Sequence, residues 1–116
     1  MPDSNLKISL SDSIDKLNNF GLEFIELFRR EKISVELYRP DKIDRQQPHL
    51  QDEIYFVLSG KGDFYCGGET VKFDKGDLLF VPGGVEHRFE NFTDDFITWV
   101  VFFGKIKNES TFHSYL

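Results

Sequence analysis

Hydrophobic positions in this chain recur mostly at every second residue, in short runs broken by Gly, Pro and Asp, which predicts strands joined by turns. Ile33, Val35 and Leu37 alternate through residues 32–38, and Pro40-Asp41 turns the chain. Residues 53–58 are rich in strand formers and stop at Ser59-Gly60. Residues 63–66 and 69–73 flank Gly67-Gly68, a pair suited to a two-residue hairpin turn. Asp74-Lys75-Gly76 predicts a further turn before a strand over 77–81. Val81-Pro82-Gly83-Gly84 predicts a type II turn, with Pro second and Gly third. A short strand over 87–89 and a longer one over 96–103 complete the pattern. Only the beginning departs from it. Residues 11–17 predict a short helix capped by Ser11 and stopped by Asn18-Asn19. Residues 22–29 fit helix or strand, and the β-rich context favours strand. About eight short strands with this punctuation predict an all-β sandwich or barrel.

A length of 116 residues allows one domain with a real core. Hydrophobic residues make up 40% of the chain and Phe occurs thirteen times, which excludes global disorder. The net charge of −6 disfavours nucleic acid and anionic membrane surfaces, since both call for positive charge. A single cysteine, Cys66, allows no intrachain disulfide. With no signal-peptide pattern and no run of about 18 apolar residues, the expectation is a cytoplasmic protein.

Two stretches carry chemistry. In Gln47-Pro-His49-Leu-Gln-Asp-Glu53, spacings of two and six residues put Gln47, His49 and Glu53 on one side-chain parity if the chain is extended. The second stretch runs Gly76, five residues, Pro82, one residue, Gly84, two residues, His87, three residues, Asn91. It resembles the second motif of the cupin superfamily at every defined position. The first stretch is similar to the first cupin motif, with His49 and Glu53 in its second and third slots, Gly60 as its trailing glycine, and Gln47 where the family usually has its first His. The chain looks like a small single-domain bacterial cupin. That resemblance implies an all-β double-stranded β-helix, the jelly-roll cupin barrel, over residues 31–104. A short N-terminal extension of helix and strand over 1–30 would pack on the barrel, and 105–116 would form a tail.

The resemblance brings Gln47, His49, Glu53 and His87 together as metal ligands. Imidazole nitrogens with a carboxylate oxygen suit Fe, Mn, Ni or Zn, and two His with one carboxylate is the donor composition of non-haem iron oxygenases. Inward alternation from Glu53 adds Tyr55 and Val57, and from His87 adds Phe89. On the last strand either Thr98, Val100 and Phe102 or Ile97, Trp99, Val101 and Phe103 face the cavity. Glu53 as ligand or base and Tyr55 as a donor are the catalytic candidates. Gly76, Pro82 and Gly84 read as turn makers that aim His87, and Asn91 as a tie for the chain beyond it. The expected function is a metal-binding cupin acting on a small organic molecule. Oxygenase-type chemistry comes first, and an isomerase, a lyase or a non-catalytic metal or ligand sensor are the alternatives. The aromatics of 24–38 and 96–103 suggest a homodimer.

Overall fold

The computed structural model describes residues 6–106; residues 107–116, with His113 and most of the expected tail, lie outside the described residues. One helix, α1 (Leu10–Phe20), precedes eight strands: β1 (Phe24–Arg30), β2 (Ile33–Tyr38), β3 (Asp52–Ser59), β4 (Gly62–Cys66), β5 (Glu69–Phe73), β6 (Leu78–Val81), β7 (His87–Glu90) and β8 (Ile97–Phe103). They form two sheets, β1-β2-β8-β3-β6 and β5-β4-β7, and the pairings are antiparallel. After β3 the chain crosses to the smaller sheet, returns for β6, crosses again for β7 and returns for β8. This is the jelly-roll path, and it brings strands distant in sequence to face each other across one core.

The first crossing explains Gly60. A Cβ there would lie 2.5 Å from the Cα of Phe96, so the β3–β4 connection passes too close to the β7–β8 connection for any other residue. At Gly67-Gly68 both φ angles are positive, 57° and 92°, as a tight hairpin of the primed type demands.

The helix is longer than expected and starts earlier. Ser9, not Ser11, is the N-cap; its hydroxyl accepts from the Asp12 amide at 3.2 Å. The helix also runs through Asn18-Asn19. It ends only where Gly21 adopts a left-handed conformation and Leu22 N–H donates back to Leu17 O, a Schellman-type stop. Leu17 faces inward against Leu37 and Ile97, with Ile14, Ile25, Leu27, Leu58 and Trp99 around them, so α1 covers the outer face of the larger sheet. Between the sheets lies the main core: Tyr38, Tyr55, Val57, Phe64, Phe73, Val81, Phe89, Phe96, Val100 and Phe102. Of the two alternatives for β8, Thr98, Val100 and Phe102 turn toward the interior. Among the described residues no helix is long and apolar enough to cross a membrane.

Candidate metal centre

Glu53 lies near the start of β3, between Val81 of β6 and Phe102 of β8. Its side chain is 1% exposed. Alternation places Tyr55 and Val57 beside it on the same face, both fully buried. His87 opens β7 in the opposite sheet, and Phe89 follows it inward. His49 comes from the loop ahead of β3, with its ring 4.7 Å from that of Phe102.

What holds that loop against β7 is the turn after β6. Gly84 N–H donates to His49 O at 2.7 Å, and Gly83 N–H donates to the Asp52 carboxylate at 2.8 Å. The turn differs from the expected one. Gly84, with φ of 85°, carries the left-handed conformation, and Val85 N–H closes the turn on Pro82 O, so it lies one residue later. Gly83 instead permits a close approach, because a Cβ there would stand 2.6 Å from Leu50 O. Beyond β7, Asn91 adopts φ of 52° and its side-chain amide donates to Asp63, tying the chain to β4.

One ligand atom each from His49, Glu53 and His87 lies within 4.8 Å of the others, a spacing one ion can span. His49 Nδ1 is 3.0 Å from Glu53 Oε2. His87 Nδ1 is 2.9 Å from Val85 O; a carbonyl only accepts, so that nitrogen carries a proton. The neutral ring then aims the lone pair of Nε2 at Glu53 Oε1, 3.4 Å away without hydrogen-bond alignment. Both atoms are buried without a hydrogen-bond partner. Two facing acceptors in a closed site require a cation between them, either a proton or a metal. The donor set fits a divalent transition metal, and the backbone bond on the far side of the His87 ring is the usual support for a ligand histidine.

In the metal-free chain a proton takes that place only below the raised titration of His87. Burial alone would raise the Glu53 pKa, but the hydrogen bond with His49 and the charge of the adjacent His87 outweigh it and bring it down to about 2. Burial would lower that of His87, but Glu53 overrides it and raises it. The Glu53 contribution to stability is therefore present above its ordinary value of 4.5 and lost as pH falls toward 2. The His87 contribution is present below its ordinary value of 6.5 and lost as pH rises through the raised one. Chelator-treated protein should accordingly show its highest urea midpoint between pH 4.5 and 6.5, with a fall on both sides. A midpoint that climbs steadily from pH 6 to 9 without metal would contradict the pairing.

Beside the triad opens a cavity of about 240 Å³ lined by Phe24, Glu36, Tyr38, Gln46, Gln47, His49, Val100 and Phe102. Gln47 stands on its wall, exposed to solvent. Gln46 and Asp44, which sequence reasoning passed over, organise this side. Asp44 accepts from Tyr38 OH at 2.6 Å, from the Gln46 amide at 3.0 Å, from Gln46 Nε2 at 2.8 Å and from the Phe89 amide at 2.8 Å. Tyr55 OH donates to Gln46 Oε1 at 3.0 Å, so both ends of that amide are fixed. The Asp-x-Gln spacing of an Asx turn is the one sequence signal that marks Asp44. Burial and the nearby Glu53 charge raise the Tyr55 pKa well above its ordinary value, so its hydroxyl stays protonated. Cys66 pairs with His87 across β4 and β7, and burial followed by Glu53 pushes its thiol up, which favours the protonated thiol over the thiolate.

Two sheets enclosing a His-Glu-His cluster, with Glu53 and His87 buried and His49 half-exposed, beside a cavity define a barrel with a candidate metal site. Comparison with known proteins names the class: residues 34–103 match the cupin domain model, and the chain belongs to the cupin family. An uncharacterised protein of Streptomyces coelicolor is 40% identical over 81 residues, 68% of this chain and 77% of that protein. The acireductone dioxygenase of Bacillus subtilis is 34% identical over 87 residues, 71% of this chain but only 38% of the enzyme, so the chain spans well under half of that relative. Among solved structures, a putative mannose-6-phosphate isomerase from Ralstonia eutropha superposes with a TM-score of 0.61 at 24% identity, covering 71% of this chain and 83% of that one; this likeness concerns the fold alone.

Proposed function

We propose that this cupin is a divalent-metal-dependent enzyme acting on a small oxygen-rich molecule, with oxygenase-type chemistry. The observation that carries the reading is the pair of orphaned buried atoms, Glu53 Oε1 and His87 Nε2, facing each other beside an open cavity. His49, Glu53 and His87 would hold the ion, and Gln47, on the cavity wall, would serve as a weak fourth ligand or as an amide facing the substrate. The ion, when bound, supplies Lewis acidity and places for substrate and oxygen. Glu53 acts as ligand or, where the ion sits off it, as a base. Tyr55 keeps its proton and orients Gln46 toward the cavity. The name of the acireductone dioxygenases supports the oxygen-dependent form and makes an acireductone the first substrate to try.

Elemental analysis after anaerobic reconstitution with Fe, Mn, Ni or Zn tests the metal, and oxygen uptake by the Fe(II) form tests the chemistry. About one ion per chain with oxygen uptake is expected; binding without turnover would favour a sensor, and no binding would end the proposal. In the same titrations Gln47→His should tighten metal binding, and unchanged affinity would place residue 47 off the ion. The homodimer belongs to the proposal as well, with sedimentation at micromolar concentration as its check; Phe96 and Phe102, two aromatics expected at the interface, are core residues.

A further inference from the structure

Glu36 lines the same cavity as His49, yet no alternation or motif singles it out. It sits on β2 in register with Val100 of β8, and Val100 is in register with Tyr55 of β3. The two strands that carry Glu36 and Glu53 are therefore separated by one strand, about 9.5 Å between backbones. The small Val100 side chain between them leaves the space that the cavity occupies. Among the described residues no hydrogen bond or ion pair ends on the Glu36 carboxylate, whereas its neighbour Glu26 is fully engaged by Arg29 at 2.6 and 3.1 Å. No lysine or arginine among the described residues lines this cavity. The cations nearby line adjoining clefts: Arg29, held by Glu26, in one that Glu36 and His49 also line, where it acts on Glu36 through its charge, and Arg45 beyond Phe24 and Tyr38. A ligand anchored by its oxygens at Glu53 and His87 would thus meet, one strand across, a carboxylate that accepts no hydrogen bond, and neutral amides.

Resting on the metal reading above, we infer that Glu36 selects the substrate's distal end, so that the pocket takes molecules bearing a hydroxyl or ammonium there and rejects those bearing a carboxylate or phosphate. Glu36 accepts the hydrogen bond of such a donor, and it repels an anion in a half-buried site where screening is weak. The substrate class is therefore a small neutral or cationic molecule with a chelating, oxygen-rich head.

The test uses Zn(II)-loaded protein, since Zn(II) brings no redox chemistry. Its probes are propanohydroxamic acid and the β-amino and β-carboxy derivatives of it, which share one chelating head and differ only at the far end. Calorimetry should show the β-amino compound binding at least about tenfold tighter than the β-carboxy compound, from the charge difference alone. In Glu36→Gln that ratio should collapse below about threefold, with zinc content and propanohydroxamic acid affinity unchanged. Equal affinities in the native protein, or a ratio that survives Glu36→Gln, would overturn the assignment, the latter because the chain's overall charge of −6 would then be the source. Absence of zinc uptake would overturn the metal reading and this inference together, so the two failures are told apart by the zinc content.

Discussion

His87→Ala is expected to abolish metal uptake and to destabilise the metal-free chain as well. The imidazole is fully buried, with one nitrogen bonded to Val85 O and the other aimed at Glu53. Removing a ligand outright should cost more than the 10- to 100-fold typical of its outer supports, hence a loss of metal affinity above about 100-fold. In the metal-free chain the substitution leaves Glu53 buried with His49 and the weaker support of Tyr55. Stranding half of such a pair costs about 3–5 kcal/mol at neutral pH. The penalty should shrink toward pH 4, because an unsupported buried carboxyl takes up a proton and sheds its charge. His87→Gln keeps polar volume at the site and should lose the metal while recovering part of the stability. Calorimetric titration with Zn(II) and urea melts at two pH values separate these effects. Undiminished zinc binding by His87→Ala would place the ion elsewhere.

The strands were legible because their signals are local. Gly67-Gly68 has the φ angles its composition demands, and Glu53, Tyr55 and Val57 share a buried face as simple alternation requires. Glu36 was illegible for a physical reason. On β2 the apolar set Ile33, Val35 and Leu37 alternates with Ser34, Glu36 and Tyr38, and that pattern carries no mark of an inward carboxylate. In the structure both faces are covered: Leu37 packs beneath α1, while Ser34 and Tyr38 are buried on the barrel side. A strand covered on both sides no longer reports which face is inward. The same ambiguity left β8 undecided between Val100 and Trp99. Asp44 escaped for a different reason, since three of its four bonds go to groups outside its own turn or to side chains whose direction the sequence does not carry. The motif glycines were visible as turn makers, but Gly83 was assigned the wrong duty. Its constraint is a neighbour 33 residues upstream, Leu50 O, and no local rule contains that contact.

Gly83→Ala should therefore act far beyond its size. The added methyl would stand 2.6 Å from Leu50 O and 3.0 Å from the Gln51 carbonyl carbon, both backbone atoms that cannot swing aside. Either the turn or the loop at 49–51 must shift, and both bonds between them, Gly83 N–H to Asp52 and Gly84 N–H to His49 O, stand in the path of that shift. Overpacking costs about 1–3 kcal/mol, and a lost buried hydrogen bond adds about 1 kcal/mol, giving a total near 2–4 kcal/mol. Because the loop that moves carries His49, metal affinity should fall with stability. Gly76→Ala supplies the control. Gly76 has φ of 90° and open space around it, so alanine there meets backbone strain but no neighbour. It should cost about 1 kcal/mol and leave zinc affinity unchanged. Two glycine substitutions in one connected stretch would then diverge in metal binding rather than in stability alone. Equal zinc affinities for the two variants would mean that the turn after β6 supports the barrel without positioning the triad.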